Sequence, residues 1–254
     1  MLWKEIQTQE RTENDDGATR AKVTELIHKH VKKLNLIMEN HVFTDEINSI
    51  AFKIINLKIG TDKECEPFCD KNIDSSVFLD IQSQDDHSAY CLSYAFTYRD
   101  WTKGTLGVAW VAKAGNAGGI CETFKRTSFV GDSRSLNTGV VTLKNSGRRI
   151  PIPKSELTFA HEVGHNLGSP HDECTGVSCE CQPRDGGKYL MYAYSNSGNQ
   201  ENNAKFSPCS RRNISNVLNS IQDSGKKFDC LEDFDGSFCG DGILDEGRLV
   251  NVSS

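Results

Sequence analysis

One twelve-residue stretch constrains this chain more than anything else in it: His161-Glu162-Val163-Gly164-His165-Asn166-Leu167-Gly168-Ser169-Pro170-His171-Asp172. Positions i and i+4 of a helix share a face, so His161 and His165 can reach one metal ion at about 2.0–2.1 Å. Glu162 follows the first of them and points beside that ion rather than at it. Gly168 lets the chain leave the helix sharply and return His171 from another direction. Three neutral nitrogens with a fourth position open form the donor set of a catalytic zinc rather than a structural one. A single Zn²⁺ so held lowers the pKa of its water to about 7 and polarises a scissile carbonyl. Glu162 is then the general base, which passes the proton on to the leaving amine. The bland alternative is a chance match on an ordinary helix, and the length of the pattern weighs against it. Met191 lies downstream in Tyr189-Leu190-Met191-Tyr192-Ala193. A methionine in such a turn, past the third histidine, forms a hydrophobic floor under the metal.

The other histidines read as surface or packing residues. His28 and His30 do not share a helix face, and His41 and His87 are isolated.

The chain has 254 residues, 37% of them hydrophobic and 25% charged. That suits one large soluble domain with at most part of another. A net charge of −6 argues against a broad nucleic-acid-binding surface. The longest clean apolar run, residues 106–112, is far short of the roughly 20 residues a membrane span needs. Ten cysteines without a repeating spacing point to disulfides and an oxidising compartment. Residues 1–17 have neither the basic start nor the apolar core of a signal peptide, so a fragment of a secreted protein, or one that lost its export signal, is expected. Asn213 and Asn251 head the sequons Asn213-Ile-Ser215 and Asn251-Val-Ser253 and are candidate glycosylation sites.

Patterning predicts an α/β layered domain. Residues 1–18 are polar and acidic and are expected to be poorly ordered. Apolar spacing predicts a helix over 20–40, and alternation with a phase shift predicts a bent strand over 50–59. A polar loop with Cys65 and Cys69 follows, then a helix over 75–82 capped by Ser75 or Ser76. Strands are expected over 90–98, 105–112 and 140–143. The motif helix should open at Ser155 and stop at Gly168, and a last helix should cover 210–220.

Beyond the motif, the stretches DDHSAYCLSYAFTYRDWTKGTLGVAWVA (85–112), GGICE (118–122), SLNTGVVTLKNSG (135–147), LTFAHEVGHNLGSPHDEC (157–174), GGKYLMYAYSNSGNQENNAKFSPCSRRNIS (186–215) and CGDGILDEG (239–247) carry a wider likeness. From about residue 21 onward the chain resembles the metalloprotease module of the ADAM family of membrane-anchored sheddases, of the Kuzbanian or α-secretase type. The resemblance implies an α/β metzincin (zincin-like) fold, with a mixed twisted sheet and helices above an irregular C-terminal subdomain, and the cleft between them. It implies a zinc-dependent metalloendopeptidase, at the cell surface or outside the cell, acting on protein substrates. Those would be cell-surface ectodomains, Notch-type receptors among them, and the chain would act as a monomer with no nucleic-acid partner.

By the same resemblance His161, His165 and His171 match the zinc ligands, Glu162 the catalytic base and Met191 the Met-turn. Thr105, Leu106, Gly107 and Val108 match the edge strand on which an extended substrate pairs. The implied disulfides are Cys121–Cys230 and Cys174–Cys209. The implied organisation is an atypical polar segment over 1–20, a protease domain over 21–231 and the start of a disintegrin-like module over 232–254. The chain departs from the family in lacking the module's apolar first strand, which is central in the sheet and carries the partner of Cys91. Cys65 is a candidate substitute partner for Cys91. Cys179 and Cys181 are extra and face other partners, or form a second small metal site. These departures raise an alternative, a catalytically incompetent truncated product acting as a substrate- or partner-binding decoy.

Overall fold

The computed structural model describes residues 2–13, 15–44, 47, 49–61, 67–68, 70, 72–127, 131–172, 185–224 and 230–232. Cys65, Cys69, Cys174, Cys179, Cys181, Cys239 and Asn251 lie outside the described residues, as does nearly all of the expected disintegrin-like stretch.

The N-terminal stretch is helical rather than poorly ordered. Helix α1 (Leu2–Glu10) forms because Trp3 and Ile6 share a face, and both are buried against Val23, Leu26 and Ile27 of α2 (Asp16–Met38) and against Leu143. Asp15 caps α2, accepting the Ala18 amide at 2.8 Å. Helix α3 (Ser75–Gln82) is capped by Asp74, not by Ser75 or Ser76, because the Asp74 carboxylate takes both the amide and the hydroxyl of Ser76, at 3.0 and 2.7 Å.

The strands are shorter than their apolar runs. They are β1 (Ser93–Thr97), β2 (Gly107–Ala109), β3 (Lys125–Arg126), β4 (Ser133–Arg134), β5 (Thr138–Thr142), β6 (Lys144–Asn145) and β7 (Arg148–Arg149). The order β1-β5-β2 makes a mixed sheet. In it β5 runs parallel to β1, with Ser93 opposite Thr138, and antiparallel to β2, with Gly107 opposite Val141. Every residue of β5 is buried, as a central strand requires. The hairpins β3–β4 and β6–β7 were not expected, since their residues are charged or small and show no apolar alternation.

The strand expected over 50–59 is absent. Among the described residues, the backbone from Ile50 to Gly60 joins no ladder. Only Phe52 is tied, its amide donating to Asn35 Oδ1 at 2.8 Å and its carbonyl accepting from Asn35 Nδ2 at 3.0 Å. The alternation is used for packing instead: Ile54, Leu57 and Ile59 lie against the Trp3–Ile6–Val23 cluster.

Helix α4 (Ile152–Asn166) opens at Ile152, one turn earlier than expected, because prolines at 151 and 153 suit a first helical turn. Ser155 is therefore inside the helix, 2.9 Å from Nε2 of the buried His30. Among the described residues between α4 and α5 (Pro208–Ser224), the backbone is irregular apart from a short 3₁₀ turn at Glu201–Ala204. Leu34, Ile37 and Met38 of α2, Val163 of α4, Ile214 and Leu218 of α5, Met191 and Phe206 share the main core. A disulfide joins Cys121 to Cys230. Cys209 is also disulfide-bonded; its expected partner, Cys174, is outside the described residues. No described helix is long and apolar enough to cross a membrane.

Candidate metal centre and active site

Helix α4 places His161 and His165 one turn apart. Gly168 then turns the chain with φ +107°, a value that suits glycine, and Ser169 N–H closes back on Gly164 O at 2.9 Å. The turn returns His171 to the other two. The ring centroids of the three are 4.8–5.2 Å apart, and one ligand nitrogen from each lies within 4.8 Å of the others. Nε2 of His165 is 3.2 Å from Nε2 of His171. Two nitrogens each about 2.0–2.1 Å from a tetrahedral zinc stand roughly 3.4 Å apart, so this spacing fits a shared ion.

The nitrogens that face the shared centre are chosen by carbonyls behind the rings. His161 Nδ1–H donates to Leu190 O at 2.8 Å, and His165 Nδ1–H donates to Ser169 O at 2.7 Å. That leaves Nε2 of each as a lone-pair donor. Burial, then neighbouring imidazoles, push the pKa of His161 down to about 3, and burial pushes that of His165 to about 4. Neutral, carbonyl-oriented imidazoles are the form a metal binds, so the donor set fits the ion.

Glu162 is buried beneath β2, and burial raises its pKa to about 8. Its Oε2 has no hydrogen-bond partner among the described residues. An orphaned buried carboxylate oxygen beside three clustered imidazoles is what a general base awaiting its water should look like.

Met191 is fully buried under the helix. A Cβ at Gly164 would sit 2.5 Å from Met191 Sδ, so the motif position between the two histidines must stay small for the floor to rise this close. The floor is tied to the third histidine's segment, since Asp172 N–H donates to Met191 O at 2.8 Å. Asp172 Oδ1 in turn accepts from Ser207 Oγ at 2.6 Å and Ser210 Oγ at 2.9 Å. Burial pushes its carboxyl up and these hydroxyls pull it back.

Of the four expected edge-strand residues, Gly107 and Val108 lie in β2, while Thr105 and Leu106 precede it. Leu106 still joins the pairing, its carbonyl accepting from Thr142 N–H at 2.8 Å. Among the described residues β2 pairs only with β5, and the Glu162 side chain lies against its face at Gly107. Asn213 sits half-buried in α5 rather than in a loop. The remaining histidines do not join the cluster: His28 is exposed, and His30 and His41 are buried in packing.

Sequence reasoning missed Asn166. Its Nδ2 donates to Trp110 O at 2.8 Å and Thr138 O at 3.2 Å, and its Oδ1 accepts from the Tyr94 hydroxyl. It pins the end of α4 to β1, β5 and the end of β2. The available signal was a fully polar residue inside the motif at a helix position facing the core.

A mixed sheet packed against the helix that carries the motif, with three converging imidazoles and an adjacent acid, is the arrangement of a metalloendopeptidase domain. Residues 20–220 match the metallo-peptidase family M12B, reprolysin-like, and the chain belongs to that family. It is 41% identical over 277 residues to the disintegrin and metalloproteinase domain-containing protein 10 homolog of Caenorhabditis elegans, covering 97% of this chain and 29% of that protein. It is 42% identical over 239 residues to disintegrin and metalloproteinase domain-containing protein 10 of Homo sapiens and to that of Mus musculus, covering 91% of this chain and 31% of each. The chain thus spans about a third of the length of these relatives.

Proposed function

We propose that this chain hydrolyses peptide bonds in extended protein segments, using one zinc ion held by His161, His165 and His171. The observation that carries this is the convergence of three imidazoles, two of them oriented by backbone carbonyls, together with a buried Glu162 oxygen that has no hydrogen-bond partner among the described residues. When bound, zinc acidifies a coordinated water and polarises the scissile carbonyl. The substrate backbone pairs with the open edge of β2, through Thr105 to Val108 and onward, which sets its register before any side chain is read. Glu162 takes the proton of the attacking water on its carboxylate and hands it to the leaving amine nitrogen, and no bond forms between enzyme and substrate. Met191 supports the imidazoles from below.

By kinship with its relatives the domain, over residues 21–231, acts on cell-surface ectodomains as a sheddase does, with receptors of the Notch type as candidates, at or outside the cell surface and as a monomer. Residues 232–254 are read as the opening of a disintegrin-like module, Cys174 as the partner of Cys209, and Asn213 and Asn251 as glycan acceptors. The decoy alternative is favoured by one observation, the absence among the described residues of ladder bonds over 50–60; the assembled histidine cluster favours the enzyme.

A fluorogenic peptide assay on the purified chain, with and without a chelator, tests the proposal. Cleavage should stop with chelator and return with zinc. Glu162→Ala should retain one zinc per chain and lose at least about a thousandfold in kcat/KM. Full activity in that variant would rule out the mechanism.

A further inference from the structure

Glu162 has a neighbour whose contribution is the side chain it lacks. A Cβ built on Gly107 would lie 2.6 Å from both Cγ and Oε1 of Glu162, and 2.8 Å from Cδ. Carbon atoms in contact sit about 3.5–4.0 Å apart, so no side chain fits there without displacement. Conformation does not explain the glycine, because the backbone at 107 is outside the positive-φ region. Space does.

Neither backbone is placed to yield. Gly107 is in the β2 ladder opposite Val141. Across from it, α4 is held to the sheet by Asn166, through the Trp110 and Thr138 carbonyls. What gives way is therefore the glutamate side chain, and it is buried. Within the reading of Glu162 as the general base, we infer that Gly107 is a positioning residue. Its bare Cα forms the seat of the Glu162 side chain, and any side chain at 107 drives the carboxylate away from the place where it meets water. The same strand thus has two separate tasks, offering its edge to substrate and its bare face to the acid.

The test is a set of variants in the whole 254-residue chain, read by two independent measurements. The first is urea unfolding of Gly107→Ala, alone and in the Glu162→Ala background. The midpoint should fall in the parent and stay unchanged with Glu162→Ala, where the carboxylate is gone. The second is peptide hydrolysis by the zinc-loaded chain. Gly107→Ala should lower kcat about tenfold or more, with KM within about twofold. In the Glu162→Asp background, with an acid one methylene shorter, the same change should cost less than about twofold. An equal midpoint drop in both backgrounds overturns the inference, as does an equal kcat loss with either acid. If Gly107→Ala alone fails to fold, recovery of folding by added Glu162→Ala supports the inference, and failure of both overturns it. A parent chain that folds, binds zinc and cleaves nothing defeats the proposed function instead, and the urea cycle still decides the contact.

Discussion

A carbonyl behind each of two imidazoles does more for the site than the spacing that reveals them. Spacing tells that His161, His165 and His171 can meet; only the structure tells that Leu190 O and Ser169 O decide which nitrogen of the first two faces inward. The ligands were legible because helix periodicity is local. The Gly107–Glu162 contact was not, because it joins residues from different elements whose approach depends on sheet and helix packing. His41 was likewise legible only as a packing residue. Its Nε2 accepts the Phe206 amide at 3.1 Å between the rings of Phe43 and Phe206, tying the segment after α2 to the one that ends beside Met191. Burial first, then Arg211 and Lys205, lowers its pKa to about 4 from 6.5. A folded pKa below the unfolded one means that the unfolded chain binds the proton more tightly. The stabilisation is therefore complete above pH 6.5 and is lost as pH falls through 4. The shift is worth up to about 3 kcal/mol. Urea unfolding at a series of pH values should show this decline, and His41→Gln, which keeps an acceptor without the titration, should make it shallower, the remainder belonging to His30, His161 and His165. Parallel curves for parent and variant would assign the pH dependence to other groups.

At the scale of elements, apolar periodicity located α2, α3, α4 and α5 well and the strands only roughly. Helix starts moved because caps and prolines compete over single residues: Asp74 took the place of the two serines, and Pro151 and Pro153 advanced α4 to Ile152. Helix α1 escaped notice because two buried residues, Trp3 and Ile6, are enough to dock it onto α2 within a polar stretch. One joint between elements rests on a single polar side chain. Asn166→Ala would remove one donor from each of the Trp110 and Thr138 carbonyls and the acceptor of the Tyr94 hydroxyl, while Thr138 O would keep the Trp110 amide at 3.3 Å. The expected loss is roughly 2–4 kcal/mol. It should appear as a lower urea midpoint, together with weaker zinc retention, because His165 is the adjacent residue. A change within about 0.5 kcal/mol would mean that packing alone seats α4.

Across the whole molecule, the order of layers was legible and the completeness of the sheet was not. Alternation over 50–59 reads as a strand because it puts apolar groups on one side, and it does so here: Ile54, Leu57 and Ile59 pack against the α1–α2 cluster. What alternation cannot supply is a neighbouring strand in register, and among the described residues this segment has none. The Cys121–Cys230 disulfide ties the chain beyond α5 back to the loop after β2, a covalent link between segments 109 residues apart in sequence. The uneven pairing has a kinetic signature. Side-chain anchoring and amide shielding part company over 53–59, so deuterium should enter those peptide groups within the first seconds of labelling, while the amides of β5 resist for hours. Mass-spectrometric exchange on intact native chain reads both segments at once. Slow uptake over 53–59 would show that a neighbouring backbone shields those amides in solution.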